Sequence, residues 1–361
     1  MASSISARWG GRVKSDSSVI RGRYLEDILD QPRALRATWD VLSDSSAFER
    51  IRTLLGSRKF ERLVLTGMGS SYFASHPLAI ECAEHGWTPI LLETSELLHY
   101  YPHLLKPSTL VIAVSQSGRS AETVRLLEGN AGGHAVVAVT NTPDSPLATK
   151  ADVAVLTKAG EEFSVSCKTY VSSLMALEVV SAALCGKSTD DRLQELQVAA
   201  DAVEQYLREW EKHVADLCEA LQPIKDIFLV GRGSSLAAVY TGALTIKESD
   251  HFHAEGMSSA AFRHGPFEML RPELFVAVIA GEQRTRALNE RMAAEIREAG
   301  AHGVLISTDS NDAACRIPTV PECVRPIVEI LPAEMMTIAL AALAGREAGK
   351  FERATKITAV E

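Results

Sequence analysis

The chain of 361 residues is long enough for two ordinary domains, and 46 Asp plus Glu against 37 Lys plus Arg leave it mildly acidic. That balance argues against nucleic acid or an anionic membrane as the main partner, so an anionic small molecule would need a local site. Six scattered cysteines (Cys82, Cys167, Cys185, Cys218, Cys315, Cys323) form no CxxC pair and read as reduced core residues of a cytoplasmic protein, and no apolar run approaches the roughly 20 residues of a membrane span.

Residues 1–23 are rich in Ser and Arg and lack the apolar centre of a secretory signal; they read as an N-terminal extension, with a short organelle-targeting segment as the alternative. Residues 24–190 form the first expected domain. Arg23 to Pro32 has helical spacing, the stretch from Ala34 to Leu55 continues it, and Leu63 to Thr66 is the first strand. The apolar run Leu110 to Val114 predicts a buried strand, and Ala121 to Glu128 predicts a helix. Leu193, Leu196, Ala199, Ala200, Val203 and Leu207 keep helical spacing, which makes 191–222 a helical connector. A second domain follows at 223–345, with a helix from Met335 to Ala344, and then a tail, 346–361.

The two domains repeat one another. Leu63 to Tyr72 returns as Ile227 to Leu236, so that Gly69 matches Gly233 at an offset of 164 (233 − 69). Leu110 to Val114 returns as Leu274 to Val278 at the same offset, and Ala131 to Val136 resembles Ala299 to Val304 at 168 (299 − 131). Each copy alternates strands with helical segments, the pattern of βαβ units. The fold class is therefore α/β, in two similar lobes, each a mainly parallel sheet flanked by helices.

Between the strand at 110–114 and the helix at 121–128 lies Ser115-Gln116-Ser117-Gly118-Arg119-Ser120. A strand-to-helix turn points free backbone N–H groups and the positive end of the helix dipole at one spot, and serine hydroxyls add neutral donors. The stretch reads either as a phosphate cradle or as a helix cap. The second copy has Ile279-Ala280-Gly281-Glu282 instead, with two hydroxyls gone and an acid added, which would repel a phosphate. Ser70 and Ser71 line the turn after the first strand. Gly67-Met68-Gly69 there mimics a dinucleotide fingerprint, but the third glycine is replaced by Tyr72, and two hydroxyl-lined turns fit a sugar phosphate better than a pyrophosphate.

The second lobe is dense in acid-base groups. Ser258 fits an N-cap, while Gly265 and Pro266 are stop signals, so His264 would end a short helix, where the negative dipole end favours a protonated imidazole; it is either a proton carrier or only a cap. His251 and His253 read as structural rather than metal-binding, because two residues apart they diverge on a helix. Glu248 has Glu84 as its counterpart in the first copy, and a surface carboxylate explains either.

These residues together resemble the tandem SIS (sugar isomerase) domain proteins, above all the isomerase half of glutamine:fructose-6-phosphate aminotransferase. The resemblance runs through Asp30-Gln31-Pro32, Gly69 to Tyr72, the SQSG turn with Ser120, and Lys158 to Tyr170. It continues through Gly231-Arg232-Gly233, Lys247-Glu248, His253-Ala254-Glu255, His264-Gly265-Pro266 and a terminal Lys-x-Thr-x-Val-Glu beginning at Lys356. It implies flavodoxin-like lobes in which Ser70, Ser71, Ser115, Gln116, Ser117 and Ser120 hold the substrate phosphate. It further implies that Glu248 moves a proton between C1 and C2, that His264, from the neighbouring subunit of a homodimer, assists ring opening, and that Lys356 contacts the open sugar or forms a Schiff base.

No cofactor or metal is implied. The glutaminase half is missing from this sequence, so the resemblance does not extend to drawing ammonia from glutamine. Thr245 stands where amino-sugar members carry a lysine three residues before the catalytic Glu, the stretch from Glu162 to Tyr170 is one residue short, and Gly349-Lys350-Phe351 replaces an Asp-x-Pro. The function implied is a phosphosugar aldose-ketose isomerase or amino-sugar-phosphate deaminase acting on a hexose 6-phosphate. The alternatives are an amino-acid-sugar phosphate deglycase, whose Glu and His share the 16-residue spacing of 248 and 264, or a non-catalytic phosphosugar sensor.

Overall fold

In a computed structural model, residues 17–128, 133–353, 355 and 356 are described. The expected extension up to residue 16 and the terminal motif beyond Lys356 lie outside the described residues. The chain divides into two compact units.

One unit comprises the described residues of 31–161 and 168–200, with 355 and 356. Its sheet has five strands: β1 (Arg62–Gly67), β2 (Pro89–Glu93), β3 (Thr109–Val114), β4 (Ala135–Thr140) and β5 (Val153–Leu156), in the order β2-β1-β3-β4-β5. All pairs are parallel, with Leu63 opposite both Pro89 and Leu110, and Leu110 opposite Ala135. Every residue of β3 and β4 is buried, as continuous apolar runs covered on both faces require, whereas the edge strand β5 alternates buried and half-buried. Val64, Val111, Ala113, Leu126, Val136, Ala138 and Leu147 form one core cluster, its valines and leucines each worth about 1.5–3 kcal/mol when fully buried.

The long opening helix divides further than its periodicity predicts, into Arg23–Leu29, Gln31–Ser43 and Ala47–Ser57. The polar run Ser43-Asp44-Ser45 ends the second piece, where the Ser45 hydroxyl accepts from the Ala47 N–H at 3.1 Å in competition with helical bonding. Arg23–Leu29 belongs to the other unit.

That unit comprises the described residues of 17–30, 162–167 and 201–353. Its sheet orders β6 (Asp226–Gly231), β7 (Ala254–Ser258), β8 (Leu274–Ile279) and β9 (His302–Ile306) as β7-β6-β8-β9, again all parallel. β7 was not predicted: its Ala-Glu-Gly-Met-Ser has no apolar run because it is an edge strand with mostly half-buried positions. At Gly256 a Cβ would lie 2.7 Å from the Val239 carbonyl oxygen, so only glycine lets the helix Leu236–Asp250 pack this close to β7.

One expectation is corrected here. Residues 322–343 form a helical stretch of 22 residues that is long and apolar enough to span a membrane, and its most apolar part is almost entirely buried inside the protein. It is apolar on all sides because it is a core helix: Leu331–Leu343 packs against Trp210–Leu221 and Leu236–Asp250. All six cysteines are free thiols, and Cys82, Cys167, Cys218 and Cys315 are buried.

Candidate functional site

In the first unit the strand order reverses direction between β1 and β3, the place where open α/β sheets take ligands beyond the carboxyl ends of their strands. This order is the flavodoxin-like 2-1-3-4-5, not the 3-2-1-4-5-6 of the dinucleotide fold that the GxG turn mimics. Ser70 and Ser71 begin a short helix directly after β1, and Ser115 to Ser117 follow β3. The structure thus brings five of the six predicted phosphate-binding residues to adjacent strand ends, and Ser120 precedes the helix Ala121–Glu128. The two strands end close together: a Cβ on Gly67 would meet the Val114 carbonyl oxygen at 2.8 Å.

The hydroxyls of the SQSG turn build the turn and leave protons over. Ser115 Oγ accepts from the Gly118 N–H at 3.1 Å and Ser117 Oγ from the Arg119 N–H at 3.2 Å. As acceptors both retain an O–H to donate outward. Ser120 Oγ lies 2.7 Å from Thr123 Oγ1, and the Ser70 and Ser71 side chains have no hydrogen-bond partner among the described residues. The Gln116 carbonyl accepts from the Asn141 N–H and from the Thr140 and Thr142 hydroxyls, which ties the turn to β4. Gly118 has φ 60°, and its missing Cβ would sit 2.2 Å from Ser145 Oγ. Only glycine gives this turn its shape. Arg119 points away, paired with Asp144 at 3.0 Å, so the donors left at the turn are neutral.

In the second unit the equivalent cradle is filled by the protein itself. Ser234, the match of Ser70, donates its N–H at 3.1 Å and its hydroxyl at 2.8 Å to Glu282 Oε1. Burial alone would lift the Glu282 carboxyl, but Arg284 and the two Ser234 donors outweigh it and hold the group below the ordinary glutamate value. The sequence shows an added acid at this turn; the structure shows that acid accepting both donors of Ser234.

Glu248 is half-buried, two residues before the end of Leu236–Asp250, whereas its counterpart Glu84 is exposed. Thr245 is buried and its hydroxyl donates to the Gly242 carbonyl at 2.9 Å, a local bond where a lysine would need an exit. His264 caps Ser259–Arg263, and the Ser258 hydroxyl accepts from the Ala261 N–H at 3.1 Å as the N-cap. β7, five residues and about 16 Å long, separates the helix end that carries Glu248 from the helix start that leads to His264. The exposed His264 imidazole has no hydrogen-bond or ion-pair partner among the described residues, so the structure does not bring these two into a hydrogen-bonded pair.

Lys356 is half-buried. His251 closes its helix in the left-handed region (φ 52°) and its ring contacts Arg346 at 3.0 Å, while His253 is 2.9 Å from Asp226. Among the described residues no three His, Cys, Asp or Glu side chains cluster as a metal site.

Sequence reasoning missed Glu329. It is buried, accepts from the Ser235 hydroxyl at 3.0 Å, and burial pushes its carboxyl up to about 7. Nothing in its apolar helical neighbourhood signals that it meets a serine 94 residues away.

The SIS domain profile matches residues 58–183 and 220–344, one match for each sheet, and the chain belongs to the SIS domain family. It is 30% identical over 357 residues to the glutamine–fructose-6-phosphate aminotransferase [isomerizing] of Thermococcus kodakarensis, a match covering 93% of this chain and 58% of that protein. The chain therefore spans under three fifths of the length of that relative. Among solved structures it is similar to the C-terminal domain of glucosamine-fructose-6-phosphate aminotransferase from Francisella tularensis (TM-score 0.78, 20% identity, 91% of this chain and 98% of that one). It is also similar to glucosamine-6-phosphate deaminase from Thermotoga maritima (TM-score 0.75, 16% identity, 94% of this chain and 100% of that one). At these identities the two structures speak for the fold.

Proposed function

We propose that the chain is an enzyme of phosphosugar metabolism that transfers a proton between C1 and C2 of a hexose 6-phosphate, isomerising aldose and ketose or releasing an amine carried at C2. The observation that carries this reading is the asymmetry of the two cradles: one offers hydroxyl and backbone donors to an anion, and its copy is filled by Glu282. The names of the relatives, an aminotransferase that isomerises and a deaminase, support the substrate class.

The roles follow from the chemistry. Ser70, Ser71, Ser115, Gln116, Ser117 and Ser120 hold the phosphate, and binding energy at this unreactive end fixes the reacting carbons. Glu248, half-buried, takes the proton from one carbon and returns it to the next, since one carboxylate can serve both steps. Lys356 offsets charge on the developing enediolate or holds the open-chain carbonyl. His264 assists ring opening, and its exposed, unpartnered ring suits delivery to the neighbouring subunit of a homodimer. With no amine the enediol is reprotonated on the neighbouring carbon to give the isomer; with an amine at C2 the corresponding enaminol is protonated at C1 to a C2 imine, which water hydrolyses to the ketose and ammonia.

Incubating the purified chain with fructose 6-phosphate and with glucosamine 6-phosphate, and following the hexose products and ammonia, tests the reading. Conversion of at least one is expected. Turnover of neither, with both still bound, would leave a sensor.

A further inference from the structure

Two helices of the first unit, His76–Glu84 and Lys168–Leu184, pack against each other, and their last turns carry a cysteine each. Cys82 lies in the last turn of one, and Cys185 caps the other with its N–H bonded to the Ser181 carbonyl at 2.9 Å. Both ends close in the same way. The Trp87 N–H reaches back to the Cys82 carbonyl at 3.0 Å and the Lys187 N–H to the Ala182 carbonyl at 2.8 Å, around Gly86 and Gly186 in left-handed backbone.

Side chains then tie one end to the other. Trp87 Nε1 donates to the Leu184 carbonyl at 3.2 Å, and the Glu81 carboxylate accepts from Ser181 Oγ at 2.6 Å while pairing with Lys187 at 2.8 Å and Arg192 at 2.9 Å. Two thiols 103 residues apart in sequence are thereby held with their sulfurs 4.0 Å apart. A disulfide requires about 2.05 Å, so each sulfur has about 1 Å to travel, a distance that side-chain rotation with slight backbone adjustment covers.

The two thiols are not equivalent. Cys82 is fully buried and Cys185 half-buried, so an oxidant from solvent meets Cys185 first. The Cys82 S–H, as donor to a Cys185 thiolate, holds the Cys185 thiol below the ordinary cysteine value against burial and the Glu81 charge, with His85 assisting. The same contact, together with burial, pushes Cys82 up. Cys185 therefore fits the attacking thiol and Cys82 the resolving one.

We propose that Cys185 and Cys82 form a redox modification site, in which a hydroperoxide converts the resting thiols into a disulfide that staples the two helix ends. The Cys185 thiolate attacks one peroxide oxygen; the S–O bond forms, the O–O bond breaks, and a sulfenic acid and hydroxide result. Cys82 then attacks that sulfur as its thiolate, the S–S bond forms, and the sulfenic oxygen leaves as water. Two thiols are oxidised and one peroxide is reduced to two waters. A dithiol reductant returns both thiols by exchange. The site does not rest on the catalytic reading, because neither cysteine belongs to the phosphate cradle.

The test treats the reduced full chain with a molar excess of hydrogen peroxide, blocks remaining thiols with N-ethylmaleimide, and maps the cysteines by mass spectrometry. A linked Cys82–Cys185 peptide is expected as the main product, with an intact mass lower by about 2 Da. The melting temperature should rise by about 5–15 °C, since the bond closes a loop of roughly 100 residues. Dithiothreitol should reverse both changes. Cys82→Ala should instead accumulate a Cys185 sulfenic acid that dimedone traps. Absence of the linked peptide overturns the proposal, as does oxidation of Cys82 with Cys185 still reduced. An unchanged or lowered melting temperature in the linked protein overturns the staple, and so does the same rise in Cys185→Ser. If Cys82→Ala does not fold, the peptide map and melting of the wild type decide alone.

Discussion

Ser234 gives both its backbone N–H, at 3.1 Å, and its hydroxyl, at 2.8 Å, to one carboxylate oxygen of Glu282. The 164-residue repeat sets Ser234 against Ser70 and Glu282 against Gly118, so the second unit carries its own anion where the first leaves donors over. Under the proposed function, this pair is the reason that only the first unit would bind phosphate.

Removing that internal anion has a cost. Glu282→Ala leaves two Ser234 donors and Arg284 without their acceptor, and the melting free energy at pH 7 should fall by about 1–3 kcal/mol. Because the folded-state carboxyl lies below its ordinary value of 4.5, its contribution is present above that value and lost as pH falls through the lowered one. Wild type should therefore lose stability below about pH 4.5 more steeply than Glu282→Ala; parallel acid-melting curves would contradict the account.

Glu329 has the opposite sign. Its carboxyl, raised by burial to about 7, binds a proton in the folded state where the unfolded chain does not, so its contribution is greatest below pH 4.5 and declines as pH rises to about 7. Glu329→Gln removes this dependence and should be more stable than wild type at pH 8 relative to pH 4.5. Thermal melts at the two pH values check it, and an equal pH response in both proteins would show that Glu329 stays ionised.

At the first cradle, Ser117→Ala removes one donor to a charged oxygen, worth about 1.5–3 kcal/mol, or roughly 10- to 150-fold in affinity. Fructose 6-phosphate titrated by calorimetry should show that loss. Retained affinity would remove Ser117 from phosphate binding.

Gly118→Ala should be worse than its size implies. The left-handed backbone and the approach of Ser145 to 2.2 Å from the added Cβ force the turn to move, at a cost of about 1–3 kcal/mol. Both melting temperature and phosphosugar affinity are expected to fall, and a variant with neither altered would show that the turn is plastic.

The sequence made the tandem α/β plan legible because the central strands β3 and β8 are unbroken apolar runs and their turns repeat at fixed offset. The SQSG turn was legible as a hydroxyl-rich strand-to-helix turn, and its degenerate copy at the same offset marked it out as a candidate anion site. β7 was not, since an edge strand that shows mostly half-buried side chains and needs Gly256 for close helix packing has neither alternation nor β-branched residues. Glu282 and Glu329 were visible as acids, but their partners Ser234 and Ser235 lie 48 and 94 residues away, and only the fold pairs them. The break after Ser43 turned on a side-chain hydrogen bond that competes locally with the helix, which periodicity does not register.

Hydrogen exchange at the reacting carbons tests the catalytic reading most directly. In deuterated water, proton NMR of fructose 6-phosphate and glucosamine 6-phosphate with wild type should show deuterium entering at C1 or C2, and Glu248→Gln should bind the same sugars with unchanged affinity and show exchange reduced by at least 100-fold. Exchange with neither sugar, or exchange undiminished in Glu248→Gln, would contradict it.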